Sequence, residues 1–213
     1  MIDNPLLDFA GLPRYGSIRP EHVTPAIDAL LAQNRASIES LTATGVPETW
    51  EGFVEPLERA NEKLGRAWGA VAHLHAVDDG PAIRHAYNAN LPKVTRYFTE
   101  LAQNLEVYGK FKALRASDDF DRLPRPRRKI VDNNLRDYRL GGAELPPDRK
   151  VRFAEIQDEL AALEAKFSEN LLDATNAFSE LIVDPADLAG LPEDEVLRVR
   201  RAWEKRFGLV GVG

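Results

Sequence analysis

PDRKVRFAEIQDELAALEAKFSENLLDATNAFSEL, residues 147–181, is the stretch whose reading decides the fold. Phe153, Ile156, Leu160, Leu163, Phe167, Leu171, Ala174, Phe178 and Leu181 recur in it at steps of three and four, the spacing that sets side chains on one face of an α-helix. At 1.5 Å per residue such a helix spans roughly 50 Å, more than a typical globular helix. It is expected to act as a spine, its apolar stripe covered by several shorter helices.

The segments on either side supply those helices. Residues 1–23 carry Pro5, Gly11, Pro13, Gly16 and Pro20, too many breakers for regular structure, and predict an irregular arm anchored by Leu6, Leu7 and Phe9. Thr24 is placed to cap a helix with Pro25 at its first position, and Ile27, Leu30, Leu31, Asn34, Ile38 and Leu41 form its stripe before Gly45 and Pro47. Thr49 caps the next, which runs from Trp50 through Phe53, Leu57, Leu64, Trp68 and Val71 to His75, bent near Pro56. After the Asp78-Asp79-Gly80-Pro81 turn a stripe continues from Ile83 to Leu114, with a kink expected at Pro92. A polar connection through Ser117-Asp118-Asp119 and Leu123-Pro124-Arg125-Pro126 leads to a helix marked by Ile130, Val131, Asn134, Leu135 and Tyr138, closed by a left-handed Gly141. Val183-Asp184-Pro185 breaks the spine, and Glu193 to about Phe207 reads as a charged terminal helix.

No stretch alternates with period two, so strands are absent or marginal. The fold class is therefore all-α: a multi-helix bundle with kinked helices and one long spine helix in the C-terminal half. Its expected organisation is an arm (1–23), a helical domain (24–183), and a linker with a terminal helix (184–213).

A chain of 213 residues with 44% apolar content has ample material for a core. Its 28 Lys and Arg against 34 Asp and Glu give a net charge of −6, which disfavours global attraction to nucleic acid or an anionic membrane. There is no cysteine, hence no disulfide and no thiolate ligand or nucleophile. With no secretory leader pattern at Met1 to Pro5 and no apolar window near the ~20 residues that span a bilayer, the expected location is cytoplasmic.

The side chains that carry chemistry do not assemble into a motif. His73 and His75 lie two apart, about 200° around a helix, and cannot chelate one ion as an i, i+4 pair does. With Asp78, Asp79 and His85 they define at most a surface site, and His75 on the apolar stripe reads better as a core imidazole. The His-Glu-x-x-His zinc signature is missing: His22, His73 and His85 are followed by Val, Leu and Ala, and no two histidines are four apart. Arg122, Arg125, Arg127, Arg128 and Lys129 form the one dense basic run, a phosphate-binding candidate that two prolines and the overall acidity make a solvated linker. Glu155, Asp158, Glu159, Glu164, Glu169 and Asp173 read as the solvent face of the spine, and Asn170 and Asn176 as hydrogen-bonding neighbours of an adjacent helix. Gly65 and Gly69 have little meaning outside a membrane, and the glycines from Gly208 to Gly213 lack the strand and helix of a nucleotide loop. No residue is assigned as catalytic, cofactor-binding or metal-ligating.

Several segments, in order, resemble the N-terminal region of the oligopeptidase A branch of the thimet oligopeptidase family of zinc metalloendopeptidases. They are Asn4-Pro5-Leu6-Leu7, Arg19-Pro20-Glu21-His22-Val23-Thr24-Pro25-Ala26, Thr49-Trp50-Glu51 and Val131-Asp132-Asn133-Asn134-Leu135-Arg136-Asp137. Leu171-Leu172-Asp173-Ala174-Thr175 and Asp187-Leu188-Ala189-Gly190-Leu191-Pro192 continue the series. The resemblance implies an all-helical part of the shell around a deep channel in which short peptides are cut. It also implies that zinc, its ligands and the general-base glutamate belong to a catalytic domain that this chain lacks. No family catalytic residue maps onto any position here, so the chain is expected to be inactive by itself. The alternative is a free-standing helical module that binds peptides or a protein; a third reading, nucleic-acid binding through Arg122 to Lys129, predicts affinity that falls steeply with salt.

Overall fold

The computed structural model describes residues 4–180, 182 and 184–207, and they form eight α-helices with no strand among the described residues. Two 3₁₀ turns, Pro5–Leu7 and Tyr15–Ser17, precede α1 (Pro20–Thr42), and a π-helical turn, Trp50–Val54, leads into α2 (Glu55–Val77). Then follow α3 (Pro81–Ala102), α4 (Leu105–Arg115), α5 (Asp118–Arg122), α6 (Arg125–Leu140), α7 (Pro147–Ala177) and α8 (Glu193–Phe207). The chain divides into two units, residues up to Ser168 and from Glu169 onward.

In the first unit α1, α2 and α3 pack around Val23, Ile27, Leu30, Leu64, Val71 and Tyr97, and Leu6 and Ile18 of the arm complete this cluster. A second cluster joins Trp50, Phe53 and Val54 of the π turn to Val107, Phe111 and Leu114 of α4, Phe120 of α5, and Val131 and Tyr138 of α6. Ile38 and Leu101 pack against both clusters. Each fully buried Leu or Phe contributes about 1.5–3 kcal/mol by removal from water. The arm is fastened through polar groups as well: the Asn4 side chain donates to the His22 carbonyl at 2.8 Å, and Arg66 donates to the Phe9 carbonyl at 3.2 Å and to that of Gly11.

Helix starts follow the chemistry of the orphan amides, at positions that differ in part from the sequence pattern. The expected cap at Thr24 is replaced by one at Arg19, whose backbone N–H donates to His22 Nδ1 at 3.0 Å, so α1 begins five residues earlier, at Pro20. Pro25 then falls inside α1, where its missing N–H frees only the carbonyl of the exposed Glu21. Thr24 accepts a hydrogen bond from Asn90 Nδ2 at 2.8 Å instead. Thr49 does cap the next segment, its hydroxyl accepting from Gly52 N at 3.1 Å. A Cβ on Gly52 would meet that hydroxyl at 2.9 Å, so the tight π turn requires glycine there.

The stripe from Ile83 to Leu114 belongs to two helices, since Asn104 ends the run and caps α4 by accepting from Glu106 N and Val107 N. α3 continues unbroken through Pro92. The expected polar connection at Ser117 to Asp119 contains the short α5, and the left-handed residue after α6 is Gly142 (φ 93°), with Gly141 at φ −75°.

The largest departure concerns α7. It is one helix of 31 residues, yet none of them is buried. Within the first unit Ile156, Leu160, Leu163 and Phe167 are 38%, 44%, 57% and 71% exposed, so no shorter helices cover the stripe there. The half-buried side is the opposite one, with Ala154, Gln157, Asp158, Ala161 and Ala165. α7 is tied to α3 and its C-cap by polar contacts: Arg96 with Asp158 at 3.3 Å, Gln103 Nε2 with the Lys150 carbonyl at 3.4 Å, and Lys150 Nζ with the Gln103 carbonyl at 3.2 Å.

In the second unit Asp184 caps the 3₁₀ turn Pro185–Leu188 by accepting from Ala186 N at 2.9 Å. α8 carries the ion pairs Arg198–Glu195 and Arg200–Glu204. The expected glycine-rich end, Gly208 to Gly213, and Leu181 and Val183 of the predicted spine and break lie outside the described residues.

Candidate functional site

The four histidines do not converge. His22 is committed to the α1 cap, and the exposed His73 lies against the Tyr15 ring at 5.1 Å. His75 is buried, as its place on the apolar stripe predicts, and stacks on Tyr87 at 4.1 Å between ring centroids with planes 2° apart. Tyr87 stacks in turn on Trp68 at 4.8 Å. His75 Nε2 is 3.7 Å from Asp79, whose side chain is 5% exposed. Arg84 Nε donates to both Asp79 oxygens, at 2.9 and 3.2 Å, and the Arg84 Nη2 also donates to Asp79. Guanidinium, carboxylate, imidazole and two aromatic rings thus lock the α2–α3 turn. Because Arg84 occupies the carboxylate that a cation would need, this donor set does not fit zinc. Among the described residues no three His, Cys, Asp or Glu lie close enough to hold a metal ion.

The basic run is spread over the end of α5 and the start of α6, and two of its arginines pair with acids outside it. Arg122 pairs with Asp119 at 3.1 Å. Arg127 pairs with Glu51 at 2.7 Å while its guanidinium stacks 4.7 Å from the Trp50 ring, which fastens α6 to the π turn. Such a stacked, paired arginine is a structural clamp worth about 0.5–2 kcal/mol. On α7 Glu155 pairs with Arg152 at 2.9 Å and Asp158 with Arg96, and a guanidinium does not exchange a proton with a carboxylate near neutral pH.

Buried polar chemistry is concentrated where α1, α2 and α3 meet. Tyr97 Oη donates to Asn61 Oδ1 at 2.6 Å, and Asn34 Nδ2 donates to Tyr97 Oη at 3.2 Å and to Asn61 Oδ1 at 3.4 Å. Burial holds the Tyr97 phenol above its ordinary range, and the Asn34 hydrogen bond opposes that shift. Tyr97 and Asn34 of the triad belong to the core, 1% and 2% exposed, while Asn61 is half-buried. Beside it runs a surface cleft between α1 and α3, lined by Arg35, Ile38, Tyr97, Glu100 and Leu101. Arg35 pairs there with Glu100 at 2.9 Å and, further along, Lys93 with Asp28 at 2.7 Å, while Glu39 and Glu106 also line the cleft. The arrangement offers a wall of charged side chains, some of them paired, and short apolar patches.

The sequence model of the Neurolysin/Thimet oligopeptidase N-terminal domain matches residues 27–150, from the middle of α1 to the start of α7. The chain belongs to this family. Oligopeptidase A of Salmonella typhimurium is 38% identical over 203 residues, which cover 95% of this chain and 30% of the relative. Oligopeptidase A of Escherichia coli is 37% identical over the same shares. A probable cytosolic oligopeptidase A of Arabidopsis thaliana is 39% identical over 189 residues, 89% of this chain and 27% of its own. The chain therefore spans under a third of the length of these curated relatives. The family match takes in the second buried cluster, the first cluster apart from Leu6, Ile18, Val23 and Ala26, the Trp68–Tyr87–His75 stack and the Asn34–Asn61–Tyr97 triad.

Proposed function

We propose that this chain acts as the N-terminal helical domain of an oligopeptidase A-like zinc metalloendopeptidase, forming one wall of the channel in which short peptides are cut. The observation that carries the reading is the 38% identity to oligopeptidase A over 95% of the chain. A wall of this kind excludes folded proteins by width and holds a peptide through contacts remote from the bond being broken, so that binding energy is spent on position. The surface of α1 and α3, with the ion pairs Arg35–Glu100 and Lys93–Asp28 beside apolar patches, suits contact with extended peptides of varied sequence.

Zinc in this reading belongs to a catalytic domain supplied by further polypeptide, and the chain alone does not hydrolyse peptides. The location is cytoplasmic, in line with the bacterial relatives and the cytosolic plant one; no helix of the described residues is long and apolar enough to cross a membrane. The test is a chimaera in which this chain replaces the matching segment of the Salmonella typhimurium enzyme. Hydrolysis of a short peptide within about tenfold of the parent, a difference of about 1.4 kcal/mol, supports the assignment. A folded chimaera that binds zinc and cuts no peptide overturns it.

A further inference from the structure

The Arg19-Pro20-Glu21-His22 corner joins the arm to α1 through one imidazole. The backbone N–H of Arg19 donates to His22 Nδ1 at 3.0 Å, so that nitrogen carries no proton and Nε2 holds the ring's one N–H. The His22 carbonyl accepts from Asn4 Nδ2 at 2.8 Å, and Asn4 Oδ1 accepts in turn from Leu6 N at 3.0 Å. One residue thus holds both ends of the arm. Leu6 and Ile18, the two buried residues that the arm adds to the α1–α2–α3 cluster, lie next to these bonds.

An imidazole gives this cap a property that the usual residues lack. Glu or Gln at the third position of a helix remains an acceptor throughout the neutral range, whereas imidazole takes up a proton between about pH 8 and pH 5. Imidazolium has two donors and no acceptor, so protonation strips Arg19 N–H of its partner and sets one N–H against another. It also adds positive charge at the end of α1 where the aligned peptide dipoles are already positive. The charged groups of the neighbouring elements are engaged elsewhere or turned to water. On the arm Asp8 pairs with Arg14 at 3.1 Å and the Arg19 guanidinium donates to the Gly16 carbonyl; Glu21 of α1 is exposed. On α2 Arg66 is held by the Phe9 carbonyl and His73 lies against Tyr15, while at the start of α3 Arg84 holds Asp79 and His85 is exposed.

We propose that His22 is a proton-operated latch: neutral, it fastens the arm to the start of α1; protonated, it lets the arm lift from α1 and α2. The released form takes the proton in preference, so the latch is closed at the alkaline end of the imidazole range and opens as pH falls. The inference rests on the α1 cap and is independent of the peptidase assignment. Amide hydrogen exchange of the full chain, expressed as protection relative to the unfolded chain at the same pH, reads the latch residue by residue. Protection of the Arg19, Leu6, Leu7 and Ile18 amides is expected to fall about tenfold between about pH 7.5 and pH 5.5, while the core amides of Leu64 and Val71 hold theirs. Neither His22→Gln nor His22→Ala should show that fall. The Gln variant, which keeps an acceptor, should start near wild type, and the Ala variant should start low. Wild-type protection that does not change with pH overturns the proposal. So does a fall retained in either variant, which would place the titration on another group, or a Gln variant whose arm is as open as that of the Ala variant.

Discussion

Tyr97→Phe isolates the polar triad that joins α1, α2 and α3. The substitution keeps the ring, which is 1% exposed, and deletes the hydroxyl that donates to Asn61 at 2.6 Å and accepts from Asn34 at 3.2 Å. Asn61 is only half-buried, so water can replace the donor it loses. Asn34 is 2% exposed and retains only the long 3.4 Å bond to Asn61. An ordinary hydrogen bond contributes about 1 kcal/mol net, while a buried donor left without a good acceptor costs about 1–3 kcal/mol, so a loss near 2 kcal/mol is expected. With a urea dependence of about 2 kcal/mol per molar, the midpoint followed by Trp fluorescence should fall by roughly 1 M. Asn34→Leu in the Tyr97→Phe background removes the stranded amide, and the double variant should be less destabilised than the sum of the singles by about 0.5–3 kcal/mol. A Tyr97→Phe midpoint equal to wild type, or strict additivity in the double variant, would refute the role given to the triad.

Other perturbations probe the remaining packing. Leu64→Ala, at a site with 0% exposure, should cost about 2–5 kcal/mol in the same urea assay. Gly141→Ala should destabilise by about 1–3 kcal/mol, because the new Cβ would sit 2.5 Å from Ala102 Cβ and 3.1 Å from the Asp137 carbonyl; an unchanged melting temperature would contradict that close approach. Burial holds the Tyr138 hydroxyl far above the ordinary tyrosine range, with the Tyr97 and Glu58 charges adding to it. A pKa raised in the folded state gives stability that is complete below the unfolded value of about 10 and is lost as pH rises beyond it. Tyr138 should therefore ionise only together with alkaline unfolding, and Tyr138→Phe should move that unfolding to higher pH.

Helical character was legible from spacing alone because three-and-four steps arise wherever one face of a helix is apolar. What covers that face is not encoded in the spacing. In α7 the half-buried side is set by Ala154, Ala161 and Ala165, small residues that permit contact but give a weak hydrophobic signal, while the strong stripe points to water. The split between α3 and α4 was hidden because Leu101, Leu105 and Tyr108 stay in phase across it; the readable sign was Asn104, a good capping residue. Gly141 and Gly142 share a tandem, and only the backbone distinguishes the one needed for positive φ from the one needed beside Ala102. His75 was legible as a core imidazole by its phase and Asp79 as its i+4 neighbour, whereas Arg84 reaches Asp79 across the α2–α3 turn, a pairing that spacing does not show. The family was legible from the ordered segments, since Thr49 and Trp50 or Asn4 and Pro5 hold the structural caps and turns of this domain.

Hydrolysis of a short peptide by the purified chain, with and without added zinc, tests the central assignment most directly. The account predicts no cleavage above the buffer rate in either condition from a protein that circular dichroism shows to be folded and helical. Zinc-dependent turnover that follows this chain through purification, and is abolished by a chelator, would contradict it.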